Sequence, residues 1–512
     1  MEILGLVDVP LYILLVLAVA VLVYIHGTWN FNYFKKQGIP GPTPYPLLGN
    51  ALSFSFFHKF KEWNRKYGNV YGIFMGRTPA YVISDLDILK EVFVKSFNTF
   101  RNRMKVSLIP YPLNLGVFFL DDEHWRRVRS IITPTFSSGK LRRMCTAIND
   151  CSRILTTNFS KAFGKKEGVV VKEYFGAYTM DVISQTAFGI KVDSQNDFSN
   201  VFVANAKSMF VQTKQRRILP AVARFFPPLV WIIQKIGVGG TFPQSAIRFF
   251  QANILEMIKQ RQNDPKENRE QRIDFLQLLV DAEITDDTVK QENGHTANGQ
   301  TSGKHTVRRL TTDEIVAQGI LFFIAGYETT ASTLNFVSYN LAMNPDIQEK
   351  AFNEIKEMLG NEEPNHDNIG KLKYLDNIVT ETLRLYPPVV ALHRRASENI
   401  HLKDLTIYEG QTVFVPVLAL QRDPKLFKDP HSFKPERHDD KSNPLSFLAF
   451  GYGPRICIGM RLALVEAKIA LVHVLRAVKF ARAPDTQDVL TFNESGVLQT
   501  EKDIKLKVSP RC

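Results

Sequence analysis

Ten residues in the C-terminal part of the chain, Phe450-Gly451-Tyr452-Gly453-Pro454-Arg455-Ile456-Cys457-Ile458-Gly459, restrict the fold more than any other stretch. An apolar run from Leu445 closes on Phe450, and the glycines and proline that follow demand a tight turn with exposed backbone. From Met460 to Ala470 the residues are good helix formers, so Cys457 stands near a helix N-terminus. Free N–H groups and the positive dipole end at that place lower a thiol's pKa and stabilise a thiolate as a metal ligand. Arg455 adds a cation two residues earlier. The plainer reading is a small buried cysteine in a Gly-rich turn.

The 512 residues suffice for two or three average domains or one large catalytic one. Hydrophobic residues at 45% and charged residues at 22% describe a folded globular protein with ample core. Lys and Arg (64) exceed Asp and Glu (51), a balance of +13 that suits an acidic membrane surface or an acidic protein partner. Nucleic acid is the weaker reading, because the basic residues are dispersed and no recognised nucleic-acid motif is present. Four cysteines, at 145, 151, 457 and 512, have neither zinc-like pairing nor the density of a disulfide framework, which points to a reducing compartment.

Ile3 to Ile25 is apolar apart from Asp8 and Pro10, long enough as a whole to span a hydrocarbon core. A cleaved signal peptide is its rival, but the apolar run continues past Ala18-Val19-Ala20 and no basic residues precede it. Lys35 and Lys36 follow the segment, so the positive-inside tendency puts the bulk of the chain in the cytoplasm. Ile39 to Pro46 is too rich in proline for helix and reads as a stiff extended spacer. Phe56 to Tyr67 reads as helix, Val70 to Ile83 as a strand pair, and Leu108 to Leu120, broken by prolines and glycine, as an ordered loop. Phe225 to Ile233 fits either interfacial insertion or plain core. Between Thr285 and Thr312 periodicity disappears, which predicts a flexible loop.

Three further groups carry chemistry. Trp125 and Arg129 lie one helical turn apart on a common face and can reach one anion. Arg126 and Arg127, with Lys140, Arg142 and Arg143, are either solvated charges or a basic docking face. A buried helix starting at Thr312-Asp313 carries Ala325-Gly326-Tyr327-Glu328-Thr329-Thr330, where a charge, a glycine and hydroxyls in a core helix suggest function. Thr back-bonding that merely bends the helix is the alternative. Glu381 and Arg384 share a helical face, by itself the pattern of a common surface ion pair.

Phe450, Gly453, Arg455, Cys457 and Gly459 match the haem-binding signature Phe-x-x-Gly-x-Arg-x-Cys-x-Gly, and on them the chain resembles the cytochrome P450 family. Ala325 to Thr330 resembles that family's acid-alcohol motif, and Glu381, Arg384 and Arg437 its buried triad, with His438 where an aromatic Phe or Trp is usual. The wording around Trp125, Ser137 to Leu141 and Ala325 to Thr330 is most similar to the clan of vertebrate drug- and steroid-oxidising members.

The resemblance implies a mainly α fold with small β-sheets after one N-terminal transmembrane helix. It divides into an anchor with its flank (1–34), a proline-rich hinge (35–49) and a single haem-thiolate catalytic domain (50–512). It implies haem b with an axial thiolate from Cys457, and no thioether linkage, since Cys-x-x-Cys-His is lacking. Phe450, Ala325 and Gly326 would border the cofactor, with Gly326 leaving room for O2. Arg103, Trp125, Arg129 and Arg455 would contact the propionates, together with either Arg394 or Arg395. Thr329 and Glu328 would deliver protons.

The implied activity is monooxygenation of a lipophilic small molecule (xenobiotic, steroid or fatty-acid-like) at the endoplasmic reticulum membrane. Electrons would come from NADPH through a flavoprotein reductase, with cytochrome b5 as a further partner. A haem-thiolate isomerase or dehydratase and a non-catalytic haem sensor are the alternatives; the Glu328-Thr329 pair argues against both.

Overall fold

The structure, a computed structural model, describes residues 2–3, 7–8, 11–50, 56–211, 231, 235, 240–265, 274–282, 309–440, 442–493 and 497–511. The apolar segment Phe225–Ile233, apart from Trp231, and the polar stretch 285–308 lie outside these residues.

Two short strands, β1 (Glu2–Ile3) and β2 (Val7–Asp8), precede α1 (Leu11–Thr28). This helix is 18 residues long with a mean hydropathy of 2.3, and most of its side chains stand free of the rest of the chain, although near its end His26 Nε2 lies 2.6 Å from Arg77 Nη1. At helical rise it measures about 27 Å, close to the thickness of a hydrocarbon core. Next come α2 (Tyr33–Lys36) and, at the expected bounds, α3 (Phe56–Tyr67). The proline-rich segment between them lies along the sheet: Gly72 donates to Pro40 O at 2.9 Å, and Asn50 reaches the Pro42 and Thr43 carbonyls. Phe34 fills the notch at Gly72, where a Cβ would come within 2.3 Å of its ring.

The strand pair forms as β3 (Val70–Met75) and β4 (Thr78–Ile83), joined at Gly76-Arg77 with Gly76 at φ +66°. Only helices then occur up to residue 160: α4 (Leu86–Lys90), capped by Asp85, α5 (Asp122–Ile132) and α6 (Ser138–Ser160). Leu108 to Leu120 is an ordered loop with one 3-10 turn, as its prolines require. Strand β5 (Val169–Val170) leads into α7 (Val171–Phe188), followed by α8 (Val201–Phe210), α9 (Gln244–Asn263) and α10 (Phe275–Asp281).

The central element is α11 (Thr312–Met343), 32 residues long. Thr311 and Glu314 form a capping box at its start, satisfying two N–H groups that a helix end leaves free. It is buried nearly all round. Phe323 stacks on Phe188 of α7 at 4.0 Å, and Gly319 lets Ile254 of α9 approach so closely that a Cβ would sit 2.8 Å away. Then follow α12 (Pro345–Leu359), α13 (Lys373–Leu385), β6 (Leu392–Arg395), β7 (Ile400–Leu402), β8 (Leu405–Ile407), β9 (Thr412–Val415) and α14 (Val417–Leu420). The chain continues with α15 (Met460–Ala477), β10 (Val478–Arg482) and β11 (Lys505–Pro510). Gly459 is the N-cap of α15, as the sequence suggested.

The largest sheet has the order β3-β4-β9-β6, with β4 and β9 parallel and the other pairs antiparallel. A second, β10-β11-β5, closes against α6 and α15. The helical core is split along α11. Ile315 to Tyr327 pack with α5, α7 and α9, whereas Ala331 to Ala342 pack with α6, α13 and α15. The boundary falls at Glu328-Thr329-Thr330, inside the motif singled out in the sequence.

Candidate haem-thiolate site

The Cys457 loop is built by its glycines. Gly453 has φ +75°, and a Cβ there would meet Phe93 O at 2.1 Å, so only glycine lets the loop lie on the backbone after α4. Cys457 N donates to the carbonyl of half-buried Phe450 at 2.9 Å, closing the turn. Arg129 of α5 crosses to donate to Ile456 O at 2.9 Å.

Cys457 retains accessible surface. Burial nonetheless pushes its thiol up, against the Gly459 and Met460 N–H groups and the Arg129 and Arg103 charges, which pull it down. The expectation of a lowered pKa is therefore corrected for the thiol on its own: desolvation outweighs the helix end. The thiol thus keeps accessible surface in a desolvating neighbourhood.

Four guanidiniums gather near it. Arg103, Arg129, Arg394 and Arg455 are each hydrogen-bonded only to backbone carbonyls, and no carboxylate bonds to any of them among the described residues. Burial, then the neighbouring Arg129 charge, lowers Arg103 to about 10. Burial and Arg103 lower Arg455 to about 9, and burial with Arg103 and Arg455 takes Arg394 well below its ordinary range. Arg455 Nε and Nη1 and Arg394 Nε are buried without a hydrogen-bond partner among the described residues. The Trp125 ring lies under the Arg455 guanidinium at 4.2 Å. Arg395, by contrast, is paired with Asp121 at 2.6 Å, so the structure brings Arg394 into the cluster and turns its neighbour out.

On α11 one stripe opens. Ala325 is exposed and Leu321, Gly326 and Thr329 are half-buried, in a helix otherwise buried from Glu314 to Ala342. Thr329 Oγ1 donates to Ala325 O at 2.7 Å. The Cβ that Gly326 lacks would strike Ile183 at 2.9 Å, so close packing on α7 is what excludes a larger residue there; the open space of this turn is beside Ala325. Glu328 points elsewhere. Its Oε1 accepts from Lys172 Nζ at 2.6 Å, Gln499 Nε2 at 2.9 Å and Ser332 Oγ at 3.1 Å. The structure thus does not bring the carboxylate together with the Thr329 hydroxyl. Lys172 and Gln499 are absent from the sequence reading, because a lone lysine in the first turn of α7 and a glutamine near the C-terminus carry no local signal.

These features fit haem. Unpartnered buried N–H groups and four guanidiniums that no carboxylate hydrogen-bonds among the described residues suit two propionates, and an accessible cysteine suits a thiolate ligand. The cytochrome P450 family profile matches residues 39–508. The chain belongs to the cytochrome P450 family. It is 37% identical over 499 residues to cytochrome P450 3A29 of Sus scrofa, covering 96% of this chain and 95% of that protein. It is 38% identical over 505 residues to cytochrome P450 3A5 of Homo sapiens, covering 97% and 96%. The protein is accordingly an oxidoreductase of the monooxygenase type that carries haem on a cysteine thiolate.

Proposed function

We infer that this P450 oxidises lipophilic small molecules of the xenobiotic, steroid or fatty-acid-like class, using electrons that an NADPH-dependent flavoprotein reductase, with cytochrome b5 as auxiliary, delivers at the endoplasmic reticulum membrane. The observation that carries the reading is the conjunction of accessible Cys457 with four guanidiniums that no carboxylate hydrogen-bonds among the described residues. In this reading Cys457 would hold the haem through its thiolate, and Arg103, Arg129, Arg394 and Arg455, with Trp125, would hold the propionates. Bound haem with a thiolate ligand supplies O2 activation, since the thiolate favours O–O cleavage over reversible storage.

The chain's own residues then position and protonate. Thr329 holds its hydroxyl proton on the open stripe, bonded to Ala325 O and available to an incoming acceptor. Glu328 reaches that hydroxyl only if its carboxylate turns away from Lys172 and Gln499, and it passes on a proton only after taking one from water. Apolar walls from α11 and the Leu108–Leu120 loop exclude water and select lipophilic substrates. Helix α1 anchors the chain, Lys35 and Lys36 keep the catalytic part on the cytoplasmic side, and residues 50–512 act as one catalytic unit.

The test uses the full chain in detergent, reduced under carbon monoxide, beside Cys457→Ala. A Soret band at the far-red position of thiolate-ligated ferrous haem, lost in the variant, is expected. A band that persists without Cys457 overturns the assignment. Product formed from lipophilic substrates with reductase and NADPH then tests the activity.

A further inference from the structure

Gln318 on α11 is 0% exposed, yet its amide is bonded at both ends. Its Oε1 accepts from Val117 N–H at 2.7 Å, and its Nε2 donates to Leu115 O at 2.9 Å and Glu314 O at 3.0 Å. One acceptor and two donors meet three backbone groups, two of them in the loop between α4 and α5. That loop is apolar and irregular, so its buried backbone groups need partners that no regular element supplies. Gly116, between the two bonded residues, lies against the helix: a Cβ there would sit 3.3 Å from Leu321. Tyr111 adds an outer link, its hydroxyl donating to Asp313 in the first turn of α11.

The far end of the loop is held differently. Arg103 donates to Phe118 O at 2.9 Å and Arg455 to Leu120 O at 2.8 Å, and both belong to the guanidinium cluster. The wall is therefore suspended between α11 and the groups assigned to the cofactor. Between the two attachments Phe118 is 40% exposed, with the Arg103 guanidinium 4.1 Å above its ring. At 3.6 residues per turn, Gln318, Ala325 and Thr329 fall on one stripe. The bonded loop thus hangs over the open face upstream of the Thr329 hydroxyl.

We propose that Gln318 is a positioning residue that fixes the height of the 113–120 wall over this open face, and so determines which lipophilic molecules, and which of their carbons, reach the Thr329 end. The proposal rests on the monooxygenase reading for its consequence in substrate choice; the clamp itself does not require haem. Gln318→Met keeps length and removes the hydrogen bonds. Gln318→Glu, neutral when buried, restores an acceptor for Val117 N–H and an O–H donor for Leu115 O.

Two measurements on the full chain decide it. Amide hydrogen exchange at Val117 is expected to rise about tenfold in Gln318→Met and to return towards wild type in Gln318→Glu. With a multi-site lipophilic substrate, Gln318→Met is expected to change the product ratio and raise KM more than it lowers kcat, at an unchanged carbon monoxide spectrum. If Gln318→Met does not fold, Tyr111→Phe, which cuts only the outer link, is expected to shift exchange and product ratio in the same direction by less. Unchanged Val117 exchange, or altered exchange with an unaltered product ratio, overturns the proposal. A wild-type chain lacking the thiolate spectrum overturns the monooxygenase reading instead and leaves exchange to decide the clamp.

Discussion

His438 Nε2 lies 2.9 Å from Glu381 Oε2, and the residue standing where the family usually has an aromatic ring is thereby a further donor to the buried triad. Glu381 also accepts from Arg384 Nε at 2.7 Å and Nη2 at 2.8 Å, from Arg437 Nε at 2.9 Å and from Lys434 N at 3.0 Å. An ionised carboxylate is acceptor-only, so His438 Nε2 carries a hydrogen. Burial pushes the Glu381 carboxyl up, but the Arg384 and His438 hydrogen bonds outweigh it and hold the group at about 2. Such a fully buried carboxylate persists because several donors together offset the loss of water.

A carboxylate depressed from 4.5 to about 2 adds stability that is complete above 4.5 and is lost as pH falls through about 2. Glu381→Gln should therefore cost about 3–5 kcal/mol near neutral pH, by leaving Arg384 and Arg437 buried without their anion. The deficit relative to wild type should shrink as pH drops from 4.5 towards 2. His438→Phe removes one donor and should cost about 1–2 kcal/mol. Urea unfolding at a series of pH values reads both; a pH-independent Glu381→Gln deficit would count against the linkage.

Arg394 should act with opposite signs in two states. In the haem-free chain it is a buried cation repelled by Arg103 and Arg455, so Arg394→Leu should raise the unfolding midpoint. In the haem-loaded chain the same change removes the propionate partner proposed above and should speed haem loss about tenfold. Arg395→Leu, which only breaks the Asp121 pair, should leave haem retention unchanged. Haem transfer to an excess of apomyoglobin and thermal melts of both forms separate the cases.

Lys172 and Glu328 form a pair with one member buried, the carboxylate at 3% and the lysine at 26% side-chain exposure. Lys172→Met should destabilise by roughly 1–3 kcal/mol, because Glu328 stays buried with only Gln499 and Ser332 as donors. Adding Glu328→Gln should recover part of that loss. A double-mutant cycle in urea measures the coupling, and strict additivity would sink the idea that the two act as a pair.

Thr329→Val keeps the side chain's shape and deletes its hydroxyl. Product formation should fall by about 10²-fold while haem content and substrate binding hold. Thr329→Ser should retain most of the rate. Equal losses in Val and Ser would assign Thr329 a packing role only.

The strongest local signals were legible as sequence. Asp313 and the Thr311/Glu314 box open α11 within one residue of the expected start, since caps and first-turn acids act over a few residues. Phe56–Tyr67, the Val70–Ile83 hairpin and the helix after Gly459 likewise follow from periodicity and punctuation. The first helix differs from the expected apolar span: it begins at Leu11 and runs to Thr28. The Glu328 environment was not legible, because its partners come from α7 and from the chain near residue 499, each far away in sequence.

The sequence by itself determined the haem-thiolate family and the local patterns that carry it, the Cys457 loop, the Ala325–Thr330 run and the Glu381/Arg384 spacing, because each signal is a short run whose backbone geometry is set locally. Tertiary structure decided the rest. It chose Arg394 over Arg395, made His438 a donor and turned Glu328 towards Lys172. Those outcomes depend on which groups share a dry interior, and burial multiplies the cost of any charge or N–H left unpaired there.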